Sequence, residues 1–153
     1  MRRYFAVVFS LFALALLVTI SHGQDSHSGS TGSRTLKVTL DYTGSGTVDE
    51  NHRIFVSLFD TPEFMHGKVI PLASKAATSK TETVTFSEVT TSPVYAAASY
   101  YPSGNYDGTA EPPPSGSSLG MYSKTPGTPE PITLPPGKTI EVRLSFDDRI
   151  KMP

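Results

Sequence analysis

Ser103, Asn105 and Asp107 occupy alternate positions in YYPSGNYDGTAEPPP, residues 100–114, and Gly108 follows them directly. Oxygen-bearing side chains at every second position, closed by a glycine, form the first half of a calcium loop, because alternate residues of a tight bend point inward. The glycine allows the sharp bend that brings the next carbonyl, here that of Thr109, into the shell. The second half departs from this pattern. Pro114 stands where a bidentate glutamate belongs, which leaves Glu111, or Asp147 and Asp148 far along the chain, to supply a carboxylate. A dication held by one or two carboxylates binds in the millimolar range of extracellular modules. The same residues also suit a plainer role, in which Asn105 and Asp107 bond their own backbone as Asx-turns while Gly104 and Gly108 adopt positive φ. Sequence alone leaves both roles open.

Tyr101, Tyr106 and Tyr122, with Tyr100, set rigid amphipathic rings near this loop in sequence. Such rings contact glycans and peptides, and at strand ends they serve equally as core or rim. Pro112, Pro113 and Pro114 favour an extended segment that stiffens the loop. Signs of catalysis are few. His27, His52 and His66 belong to no metal-binding pair, and neither a nucleophile elbow nor a phosphate loop is present. Asp147 and Asp148 are adjacent, so on a strand end they point to opposite sides and read as the end of the last strand rather than a paired acid site. A non-catalytic protein is expected, with calcium the one cofactor in view.

The strands around these residues follow from two-residue periodicity. TLKVTLDY places Leu36, Val38, Leu40 and Tyr42 on one face and Lys37, Thr39 and Asp41 on the other, which is a half-buried strand. RIFVSLFD is apolar on both faces and reads as a covered strand. TPEFMHGKVIPL reads as a loop ending in a short edge strand, and ASKAATSKTET as a polar connection. TVTFSEV and PVYAAASYY are strands, the alanines implying close packing on one side. Residues 102–130 read as a long loop. PITL is a short strand with an edge open to pairing, and TIEVRLSF, after the turn PPGK, has the clearest alternation of all. With no amphipathic helical stripe, this order predicts an all-β fold, an antiparallel Greek-key-type sandwich of about seven strands.

Cysteine is absent, which excludes a disulfide framework and thiolate chemistry. Thirteen basic residues against fourteen acidic, dispersed along the chain, give no field for nucleic acid or anionic lipid. The start, MRR followed by YFAVVFSLFALALLVTI and SHG, has the three regions of a secretory leader over residues 1–23, and its apolar run of ~16 residues is short of the ~20 that cross a bilayer. Residues 24–34, QDSHSGSTGSR, then form a flexible linker, 35–148 the sandwich, and 149–153 a C-terminal tail. The expected location is secreted or periplasmic, with no membrane span once the leader is removed.

The series V-x-F-x-x-V (Val84–Val89), V-Y-A-A-A-S-Y-Y (Val94–Tyr101), S-G-N-Y-D-G, P-P-x-G-K-T and a final alternating strand resembles bacterial exported prealbumin-like domains, the transthyretin-like or carboxypeptidase-regulatory-like sandwiches. The similarity covers most of residues 35–148. The chain departs from the pattern at Thr90 to Pro93, where such domains often carry glycine, and at Ser103, often acidic there. The resemblance implies a small sandwich with a structural or binding role at the cell envelope, its partner a protein or glycan. A calcium-stabilised adhesion or carbohydrate-binding module is the alternative.

Overall fold

The alternation of TLKVTLDY becomes β1, Arg34–Tyr42, in the computed structural model, which describes residues 32–65, 69–108 and 112–153. The leader and residues 24–31 of the linker lie outside the described residues. Leu36, Val38 and Leu40 are fully buried, while Lys37, Thr39 and Asp41 face outward. The strand begins one residue earlier than the alternation predicts. The Arg34 guanidinium reaches the carbonyls of Leu134 (2.9 Å) and Thr90 (3.0 Å), tying the last linker residue into the fold.

β1 lies between β4, Thr83–Val89, and β7, Thr139–Phe146, giving a three-stranded sheet A of order β4-β1-β7. The second sheet, B, has the order β3-β2-β5-β6, with β2 Ile54–Phe59, β3 Ala73–Ala77, β5 Tyr95–Tyr100 and β6 Ser118–Met121. These seven strands form the expected all-β sandwich. Every pair is antiparallel except β1 and β7, which run parallel from Thr35↔Thr139 to Tyr42↔Phe146. A parallel neighbour needs a long crossover, and here the whole of the intervening chain supplies it.

The inner faces meet through Leu36, Val38, Leu40, Phe86 and Leu144 from sheet A and Ile54, Val56, Leu58, Ala96, Ala98 and Tyr100 from sheet B. Ala96 and Ala98 lie on the core face of β5, which meets the expectation of close packing there. The outer face of sheet A is a polar lattice, with Lys37–Glu141 at 3.0 Å, Arg143–Asp41 at 3.7 Å and Thr39–Thr83 at 2.9 Å. The outer face of sheet B is covered at β2, all six of whose residues are buried. Phe59 stacks on Phe64 from the 3-10 turn Pro62–Met65, and Phe55 meets Tyr106 edge-on. The two-faced apolar pattern of RIFVSLF is therefore answered on its outer side by loops rather than by a third layer.

Three segments differ from expectation. The edge strand of sheet B is Ala73–Ala77, in the predicted polar connection, while Ile70 and Leu72 before it are exposed. ASKAA has weak strand propensity, and its place is set by backbone pairing to β2 and by the bond between Ser57 Oγ and Ser74 Oγ at 2.6 Å. β6 falls inside the predicted long loop. Its inward positions are Ser118 and Gly120, which carry no hydrophobic signature, and Gly120 is required because a Cβ there would overlap the Phe146 side chain. PITL, predicted as a short strand, contributes only a single bridge, Val94↔Ile132. The C-terminal tail is docked: Leu119 N–H bonds Ile150 C=O (2.9 Å) and Met152 N–H bonds Ser117 C=O (2.8 Å), extending sheet B past β6. Among the described residues no helix is long and apolar enough to cross a membrane.

Candidate functional site

Residues 101–108 leave β5 and fold back over the outer face of β2. Gly104 (φ 66°) and Asn105 (φ 60°) are consecutive left-handed residues, and Gly108 has φ 80°. Glycine and asparagine are the residues that tolerate this region. Gly108 has a second reason to be glycine, since any Cβ there would overlap the Phe55 ring. Tyr106, 8% exposed, packs its ring on Phe55 at 5.0 Å, and the Arg53 guanidinium lies 5.3 Å from the Phe55 centroid. The loop is thus seated by aromatic packing and by backbone geometry together.

Opposite it stands the turn 49–53. Asp49 Oδ1 accepts the backbone N–H of Asn51 (2.8 Å) and of His52 (2.8 Å) and bonds His52 Nδ1 at 3.0 Å. The His52 ring, followed by these amides, holds the Asp49 carboxyl below its ordinary value. The opposite edge of the ring lies against the loop, because a Cβ on Gly104 would sit 3.3 Å from His52 Cδ2, 3.4 Å from Nε2 and 3.0 Å from the Asn51 carbonyl. Between turn and loop is an open recess of about 390 Å³, lined by residues 50–53 and 103–107.

Ser103, Asn105 and Asp107 all line this recess and are exposed. Thr109 and Glu111 lie outside the described residues. Among the described residues no group of three or more His, Asp or Glu is placed to hold a metal ion. The three tyrosines do not share a surface. Tyr106 is buried on Phe55, Tyr101 follows the end of β5, and Tyr122 follows β6. Tyr122 N–H bonds Ala96 C=O (2.9 Å), which puts it five β5 positions from Tyr101, about 16 Å along the strand. Glu50, Asn51, His52 and Arg53 join the recess without having been singled out as a group. The D-E-N-H turn before a strand was the available signal, and only the fold shows that it faces residues 103–107.

A second polar cluster, at the end of the sandwich where β7 stops, centres on Asp148. Its Oδ1 accepts Tyr42 OH (2.6 Å) and Ser118 Oγ (2.6 Å), and its Oδ2 accepts Ser45 N–H (2.8 Å) and Oγ (3.0 Å). Lys151 Nζ lies 3.3 Å from Oδ1 and donates to Ser118 Oγ at 2.7 Å. The Ser118 hydroxyl, then Tyr42, then Ser45 hold the Asp148 carboxyl well below the usual range. Burial, then the bond to Asp148, pushes the Tyr42 phenol up to about 12. Asp147 and Asp148 follow the end of β7 and have separate partners, Asp147 pairing with Arg149 at 2.6 Å. The role of Asp148 depends on Ser45 and Ser118, 103 and 30 residues away in sequence. With Ser118 fully buried and its oxygen engaged on both sides, this cluster joins β1, β6, β7 and the tail rather than presenting a reactive hydroxyl. Comparisons of the chain with protein-family models, with curated proteins and with solved structures gave no match.

Proposed function

We propose that this chain is a non-catalytic exported module, secreted or periplasmic, that binds a polar ligand of saccharide size at the cell envelope through the recess between residues 50–53 and 103–107. The observation that carries this reading is the seated loop. Asn105 and Gly104 are fixed in left-handed geometry, with Tyr106 and Gly108 anchored on Phe55, so the recess exists before any ligand arrives. A recess of a few hundred Å³ formed before its ligand arrives has the size and preorganisation of a small-ligand site, and its openness and polar walls suit a polar ligand rather than an apolar one. The lining mixes amides (Asn51, Asn105), carboxylates (Glu50, Asp107), a guanidinium (Arg53) and an imidazole, a set of donors and acceptors suited to hydroxyl groups. The seven-stranded, two-sheet arrangement supports the prealbumin-like resemblance.

A glycan array probed with the purified protein is expected to show selective binding. His52→Ala and Asn105→Gly, the latter keeping the left-handed backbone, are each expected to weaken it by about tenfold, the loss of one or two hydrogen bonds. Binding to no glycan, or binding indifferent to both changes, removes the proposal.

The alternative, a calcium-stabilised module, is favoured by one observation: Glu50 and Asp107 line the same recess with Ser103 and Asn105. It predicts that millimolar calcium raises the melting temperature and that Glu50→Gln abolishes the rise. Calorimetric titration without heat at millimolar ion would exclude it.

A further inference from the structure

β7 is an edge strand whose outward backbone groups have no partner strand among the described residues. Thr35 N–H bonds Lys138 C=O and Thr43 N–H bonds Phe146 C=O, both at 3.0 Å, so the even-numbered residues turn their backbone toward β1. The odd-numbered residues Thr139, Glu141, Arg143 and Ser145 therefore turn theirs away. An eight-residue edge without proline is a template for another strand. The core face of this strand is also incompletely covered, since Ile140 and Val142 remain partly exposed while Leu144 beyond them is fully buried.

We propose that β7 pairs antiparallel with β7 of a second copy of this chain, Val142 meeting its own counterpart on the two-fold axis. In this register Glu141 faces the second copy's Arg143, and Arg143 faces its Glu141. The groups that exchange hydrogen bonds are all on odd-numbered residues, the ones that point outward. Inside, Val142 meets Val142 and Ile140 meets Leu144, covering the exposed part of the core face. Charge selects this register over its neighbours. Sliding by two residues one way sets Glu141 against Glu141, and the other way Arg143 against Arg143, and like charges directly opposite destabilise a strand pair. Each charge already has an opposite partner on β1, Lys37 for Glu141 and Asp41 for Arg143, so the dimer continues an alternating row across both sheets. The opposite edge of sheet A differs. There the Lys75 amine, 2.6 Å from the Thr85 carbonyl, occupies an acceptor of β4.

Sedimentation equilibrium from micromolar to near-millimolar protein is expected to show a dimer of the purified chain. Glu141→Arg sets arginine against Arg143, and Arg143→Glu sets glutamate against Glu141, so each is expected to weaken association about tenfold or more. Mixed in equal amounts, the two single variants are complementary and are expected to restore a dimer containing one of each. Arg143→Pro removes an outward N–H that β1 does not use. It is expected to melt like the parent protein, give or take a few degrees, yet remain monomeric. A parent chain monomeric throughout, a dimer retained by Arg143→Pro, or a mixture that stays monomeric overturns the proposal.

Discussion

Asp148→Ala is expected to lower stability by about 3 kcal/mol, and the melting temperature by roughly 10 °C. The carboxylate receives five hydrogen bonds from four residues, Tyr42, Ser118, Ser45 and Lys151. Its removal strands the buried Tyr42 and Ser118 hydroxyls without their acceptor, and an unsatisfied buried donor costs about 1–3 kcal/mol. The contribution also depends on pH. Asp148 is held below its unfolded value, so its stabilisation is whole above pH ~3.9 and drains as pH falls toward the folded value. Tyr42 is shifted the opposite way, and its share is whole below pH ~10 and is lost as pH rises to about 12. Thermal melts of the parent and Asp148→Asn should therefore differ most across a plateau between these limits and converge in acid. A gap that persists undiminished at about pH 2 would show that the charge of Asp148 is not what holds the cluster.

Gly120→Val is expected to cost about 3 kcal/mol, the upper part of the range for forcing extra atoms into a packed interior. β6 passes so close to β7 that a Cβ at Gly120 would overlap Cβ and Cγ of Phe146. Those Phe146 atoms are near the backbone and cannot swing away. The Phe146 ring in turn packs 4.7 Å from Tyr42, and Tyr42 lies 5.0 Å from Tyr100, so displacement propagates into the Asp148 cluster. Chemical denaturation would measure the loss. If Phe146→Gly, which removes both overlapping atoms, relieved the cost of Gly120→Val in the double variant, the overlap itself would be the cause. Simple addition of the two costs would exclude it.

Strands carrying a clean apolar alternation were legible from sequence because a half-buried strand writes its two faces into alternate residues. β1, β4 and β7 are of this kind, and the two-sided pattern of β2 correctly implied cover on both faces. β3 and β6 were not legible. ASKAA and SLGM lie where packing demands small or polar residues, so the forces that make them strands reside in β2, β5 and Phe146 rather than in their own side chains. The same division holds for the site. Ser103, Asn105 and Asp107 stood out by their spacing, and the structure sets them together on one recess. The facing turn did not stand out, since Asp49, Glu50 and His52 carry no ligand spacing of their own, and only the return of residues 101–108 puts them across from that loop. Asp148 was legible as a strand terminator only, because most of its partners come from two distant segments, Tyr42 with Ser45 and Ser118.

The parallel pairing of β1 with β7 has a kinetic consequence. Lys37 and Glu141 meet across 104 residues of chain, and every β1–β7 contact is similarly remote in sequence. Such high contact order slows folding, because the entropy of closing a long loop must be met before the contact returns anything. A ribosome releasing this polypeptide leaves β1 with one flank vacant until β7, 104 residues behind it at the Lys37–Glu141 contact, has emerged, and sheet A can close only then.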